Sequence, residues 1–194
     1  MSQTNEQDVK ARVRAALDDA GVKKAADVIR ESQQGSLQEI LELGRALAEA
    51  AGATAQAQRM EAELSGYQGR EEEVPAERRA SGFASSFPVR ALDMGLLDPE
   101  EIFLANREKF SQVTLTIVQP LAELQQALAQ LEQGGVLALK VPASEVTGHS
   151  ASTDEDTEVF IYILPREIQR IVEAARVQVL QAVISWLVAA TQDA

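Results

Sequence analysis

Apolar residues recur at helical spacing through the first 67 positions, alternate with period two nearer the middle, and return to helical spacing at the end. Asn5 is placed to cap a helix with Val9, Val13, Leu17 and Ala20 on one face, and Gly21 to end it. A second helix follows through Val22, Ala25, Val28 and Ile29 and stops by Gly35. Ser36-Leu37-Gln38-Glu39 has the spacing of a capping box, in which each polar side chain satisfies the other's free backbone N–H. Leu37, Ile40, Leu41, Leu47 and Ala51 form the apolar stripe of the helix it opens. After Gly52 another helix passes through Ala57, Met60 and Leu64 to Gly66-Tyr67. Each of these two stripes needs a partner, and a short Gly-Ala turn makes an antiparallel pair the simplest arrangement.

From Gln68 to Arg90 the periodicity breaks into alternating charge and Ser/Gly-rich sequence around Phe83 and Phe87, which predicts a connecting segment with limited extended structure. Asp98-Pro99-Glu100-Glu101 supplies a cap, a proline at the first helical position and acids in the first turn, so a short helix is predicted to about Lys109. Val113 to Ile117 alternates, then Pro120 and the Leu121, Leu124, Leu128, Leu131 series restore a helix that ends at Gly134-Gly135. Val136 to Val141 and Val159 to Leu164 predict a hairpin across a long polar loop, Ser144 to Glu158. The second of these strands is apolar on both faces and therefore requires cover on each side.

Pro165 opens the longest helix, which runs to about Gln192. From Val177 to Ala190 only Gln178, Gln181 and Ser185 are polar. Apolar surface that wide seldom stays wet, so it is covered within its own domain or by another molecule. Val177, Leu180, Ile184, Trp186, Leu187 and Val188 are the candidate interaction residues. A membrane span needs ~20 uninterrupted apolar residues, and Arg176, Gln178, Gln181 and Ser185 interrupt this run. The expected fold is α+β and predominantly helical, with an N-terminal helical bundle, a small antiparallel sheet and a long C-terminal helix. It forms one domain over 1–194, with a helical part at 1–67, a connecting segment at 68–98, and a helix, the sheet and the closing helix in 99–194.

Composition narrows the partners more than the fold. Aromatic residues make up 4% of the chain against 45% hydrophobic overall, which predicts an aliphatic core. A net charge of -12 repels phosphate backbones and anionic lipid, which argues against nucleic acid and membrane partners. The absence of cysteine removes disulfides, thiolate metal sites and cysteine nucleophiles together. Met1 to Glu6 carries neither a basic region nor an apolar run, so the expected location is cytoplasmic.

No convergence of nucleophile, base and orienting group is visible. His149 is the only histidine and has no second histidine or cysteine with which to hold zinc. Asp154-Glu155-Asp156-Thr157-Glu158 gathers carboxylates but lacks the glycine-bearing spacing of a calcium loop. Glu71-Glu72-Glu73 and Glu77 lie beside Arg70, Arg78 and Arg79 and read as surface ion pairs. Gly-x-Ser-x-Gly, phosphate-loop and dinucleotide fingerprints are all missing. No catalytic, cofactor-binding or metal-binding residue is assigned. The alternatives to a non-enzymatic module are a metal-dependent effector enzyme using Asp154, Asp156 and Glu158 with His149, and a membrane-disrupting effector acting through the C-terminal helix.

Glu63-Leu64-Ser65-Gly66-Tyr67, then Val74-Pro75 with Arg78, and later Ile171-Val172-Glu173-Ala174-Ala175-Arg176 after Pro165, resemble the AbiTii domain family of bacterial abortive-infection proteins. The resemblance runs from about Ser36 to Trp186, and its most specific part is the Glu-Leu-x-Gly-Tyr junction. Where the family pattern continues Pro-x-Tyr-Arg, this chain has Pro75-Ala76-Glu77-Arg78. The resemblance implies a small cytoplasmic protein associated with defence against phage, and it carries no catalytic residues across. The excess apolar surface of the last helix, without site chemistry, makes a homo-oligomer or docking to a defence partner the expected mode of action. The residues of the junction have structural readings of their own: Gly66 stops the helix with a left-handed turn, Tyr67 folds back on Leu64 and Met60, and Pro75 keeps the outgoing chain extended.

Overall fold

A computed structural model describes residues 36–85, 99–131, 136–142 and 158–191. The helices expected before Ser36, the Gly134-Gly135 stop, and the loop with His149, Asp154 and Asp156 lie outside the described residues. The described chain is mainly helical with a small antiparallel sheet and a long C-terminal helix. Its elements are α1 (Leu37–Ala51), α2 (Thr54–Ser65), β1 (Arg79–Ser85), α3 (Pro99–Ala105), β2 (Ser111–Thr116), α4 (Leu121–Leu131), β3 (Leu137–Pro142), β4 (Glu158–Ile163) and α5 (Pro165–Thr191). Two short 3-10 turns, Glu71–Glu73 and Ala76–Arg78, precede β1. Backbone contacts divide the chain into two units: residues 1–67, 119–122 and 174–194, and residues 68–118 with 123–173.

In the first unit α1 buries Leu37, Ile40, Leu41, Gly44, Leu47, Ala48 and Ala51, the three- and four-residue recurrence of one helical face. It packs against α2, which buries Ala57 and Met60. Gly44 is the point of closest approach. A Cβ built there would stand 2.7 Å from the Met60 sulfur and 3.2 Å from a Val183 methyl of α5, so the missing side chain is what lets three helices meet. Gly52 ends α1 at φ 71°, ψ 20°, a left-handed conformation that starts the short Gly-Ala turn between α1 and α2. The capping box does not form. Ser36 occupies the cap position with no side-chain capping bond, and its backbone oxygen takes the Glu39 N–H instead at 3.1 Å. Gly66 closes α2 at φ 84°, ψ 174°, a glycine-favouring backbone but an extended one, not the left-handed turn anticipated.

The second unit is built on a four-stranded antiparallel sheet in the order β2-β1-β4-β3. β4 lies inside it, as its two-faced apolar pattern requires, and Val159, Ile161, Tyr162 and Ile163 are buried. The stretch read as a connecting segment contains the other inner strand. β1 has the sequence Arg-Ala-Ser-Gly-Phe-Ala-Ser, without a β-branched residue, and is held by its neighbours: Gly82 pairs with Val113 on one side and Ile163 on the other. A Cβ at Gly82 would stand 3.1 Å from the Tyr162 carbonyl oxygen, so glycine permits the close approach of β4.

The sheet's core departs from the aliphatic expectation. Phe103, Phe110 and Tyr162 are buried together with Val136 and Leu164, and Phe83 and Phe160 pack against them. Phe83 stacks on Phe103 at 4.4 Å between ring centroids and Phe110 meets Phe103 edge-on at 4.8 Å. Averaged over the whole chain the aromatic content is low; topology concentrates it here.

The first turns of α5 close the sheet where strand pairing stops. β4 pairs with β1 only over Gly82–Ser85, so the β4-facing backbone groups of Arg79 and Ser81 need other partners. Glu167 Oε2 accepts the Ser81 N–H at 3.1 Å, and Arg170 donates to the Arg79 carbonyl and, at 3.2 Å, to that of Glu77. Arg166 makes a two-pronged pair with Glu100 at 2.6 and 2.7 Å. Ile168, Ile171 and Val172 are buried on the face between these polar residues.

Candidate interaction surface

The second part of α5, from Ala174, belongs to the helical unit. Its inner face carries Ala175, Val179 and Val183, all buried. The outer face carries Val177, Ile184 and Val188, which are 50%, 44% and 43% exposed, with Leu180 half-buried beside them. Val177, Leu180, Ile184 and Leu187 follow one another at spacings of three, four and three. That is the a/d seam of a heptad, the pattern that packs one helix against another. Leu187 lies within α5; its side chain falls outside the described set.

Trp186 stands apart from the other candidates. At 100° per residue it lies about 200° around the helix from Ile184, and it is half-buried on the flank of the inner face. The sequence run grouped it with the rest because a nearly continuous apolar stretch conceals which face each residue takes.

No charged residue occurs between Val177 and Val188, in a chain whose net charge is -12. Gln181 and Ser185 are exposed there, with the Ser185 hydroxyl donating to the Gln181 carbonyl at 2.7 Å. The surface is thus apolar along its seam and neutral at its border. Among the described residues no helix is long and apolar enough to cross a membrane.

Two buried charged residues escaped the sequence reading. Glu63 is 5% exposed and accepts the Tyr67 hydroxyl at 2.8 Å. The i, i+4 spacing of the two residues at the end of α2 was the available signal. Arg78, placed by the sequence among surface ion pairs, is 2% exposed. Its backbone N–H donates to Pro75 and its carbonyl accepts the Ile117 N–H, both at 2.9 Å, fixing the last 3-10 turn where β1 begins.

Among the described residues the other charged groups whose burial is described are exposed or half-buried. Arg45 is paired with Glu61, whose hydrogen bond and negative charge raise its pKa. Glu71 accepts the Gly69 N–H at 3.0 Å, and backbone hydrogen bonds from Glu71 and Gly69 hold its carboxyl below the ordinary range. Glu158 opens β4; His149, Asp154 and Asp156 lie outside the described residues. Among the described residues no three His, Cys, Asp or Glu side chains come together as a metal site. No family model, curated protein or solved structure matches the chain.

Proposed function

We propose that the protein is a non-enzymatic assembly module that pairs with a second copy of itself through the outer face of α5. The observation that carries the reading is the heptad seam of Val177, Leu180, Ile184 and Leu187 in a twelve-residue stretch without charge. Two copies of a chain at -12 repel each other over most of their surface. The neutral stretch is where that repulsion is least and the apolar gain greatest. The resemblance of Glu63 to Tyr67 and Val74 to Arg78 to the AbiTii family supports a setting in bacterial anti-phage defence, in the cytoplasm, with the assembled form as the active or docking-competent species.

Light scattering after size exclusion at micromolar concentration tests this. The wild type is expected at a multiple of the 21.0 kDa chain mass, and Ile184→Glu at the single-chain mass with an unchanged circular dichroism spectrum. A wild type that runs at one chain mass throughout removes the self-association reading, leaving docking to a different protein.

A further inference from the structure

We propose that the cleft between α2 and the second part of α5 binds a small monocarboxylate with an apolar body. The cleft encloses about 330 Å³, within the span of ligand pockets, ~300–1,000 Å³. Its buried apolar wall is formed by Met60, Ala175 and Val179, with half-buried Ala182 beside them. Its polar groups are predominantly donors or amides, and one carries positive charge.

That group is Arg59. Its Nη2 donates to Gln178 Oε1 at 2.5 Å, an amide from the opposite wall. Arg45, Arg166 and Arg170 each face a carboxylate, whereas among the described residues Arg59 makes no ion pair. A guanidinium has five N–H donors in a planar fork that matches a carboxylate two-pronged. Gln178 engages one edge of that fork and steadies it over the cleft. In an acidic protein an arginine spared a carboxylate of its own, set above an apolar floor, is suited to one brought by a ligand.

Glu63 sets the limit on charge. Its buried carboxylate lies one helical turn from Arg59 on the same wall, held by Tyr67. A second negative group on the ligand would meet it, so the site selects a single anionic head with an apolar remainder over Met60 and Val179. Diacids and phosphate esters are discriminated against by that repulsion.

Isothermal titration calorimetry of the full chain with octanoate is the test, alongside suberate, the diacid of the same carbon count, and octan-1-ol, which keeps the tail without the charge. Octanoate is expected to saturate one site per chain, with suberate and octan-1-ol at least tenfold weaker. Arg59→Gln should weaken octanoate at least tenfold, and Arg59→Lys, which keeps the charge without the fork, should fall between; if the glutamine variant does not fold, the lysine variant decides. Ile184→Glu should bind octanoate as the wild type does, which separates this site from the outer face of α5. No saturation by octanoate at millimolar concentration, equal affinity in the Arg59 variants, or loss of binding confined to Ile184→Glu would each overturn the proposal.

Discussion

Val183 and Ile184 are neighbours in sequence and nearly identical in chemistry, yet the first is fully buried and the second 44% exposed. The difference lies in what each face of α5 meets. Val183 points to the place where Gly44 lets α1 and α2 approach, and its methyl lies within 3.2 Å of where a Gly44 Cβ would stand. Ile184 lies 100° further round the helix, on the side where Val177 and Val188 are also uncovered. Hydrophobicity alone does not separate a core residue from an interface residue; periodicity combined with a place to pack does. The contrast sets the exposed apolar face proposed for assembly apart from the buried face that packs the helical unit.

Charge placed on each face should separate them most sharply. Val183→Asp puts an unpaired carboxylate in a dry site and is expected to abolish cooperative thermal unfolding. Ile184→Asp should leave folding stability within about 0.5 kcal/mol, as surface changes do, while removing self-association; equal melting behaviour of the two would erase the distinction. Gly44→Leu forces a side chain against Met60 and Val183 and should destabilise by about 1–3 kcal/mol, the usual cost of overpacking, measured as a shift in the denaturant midpoint. Tyr67→Phe withdraws the buried hydroxyl that donates to Glu63 and should destabilise by roughly 1–3 kcal/mol, the worth of a buried hydrogen bond to a charged group, measured as a shift in the denaturant midpoint.

Arg170→Ala should be milder, about 1 kcal/mol, since the arginine is largely exposed although it completes β1's hydrogen bonding. Hydrogen exchange at Ser81 in this variant should rise relative to Val113, at the partner strand. Smallest is the titration of Glu71. Its carboxyl is lowered in the folded state by backbone hydrogen bonds, so its stabilising effect is present above the unfolded value and disappears as pH falls through the lower folded value. A carbon-detected titration in which Glu71 has a midpoint at or above the ordinary glutamate value would contradict this.

The helical pattern was readable because each stripe is local. Leu37 to Ala51, Leu121 to Leu131 and the start of α5 at Pro165 all declare themselves by spacing, and β4 declares its interior place by being apolar on both faces. β1 was missed for a physical reason. Arg79 to Ser85 has little strand preference of its own, and it is extended because β2, β4 and the polar end of α5 complete its backbone bonds from distant positions. The aromatic cluster was hidden likewise, since Phe83, Phe103, Phe110 and Tyr162 converge only after the sheet forms. Of the interaction candidates, spacing could have set Trp186 aside, since it lies outside the heptad that Val177, Leu180, Ile184 and Leu187 share. The cleft at Arg59 had no signal in sequence, because its walls lie on α2 and α5, more than a hundred residues apart.

Cysteine crosslinking tests the central claim most directly, because the natural chain has no cysteine to interfere. Ile184 lies on the heptad seam two residues from its midpoint, so two copies paired there bring residue 184 of each directly opposite when the helices run parallel and within about a turn of each other when they run antiparallel. Under mild oxidation Ile184→Cys is expected to form a disulfide-linked dimer in high yield, while Leu104→Cys, equally exposed at 48% but on α3, should not. Equal and low crosslinking at both positions would contradict assembly through this face.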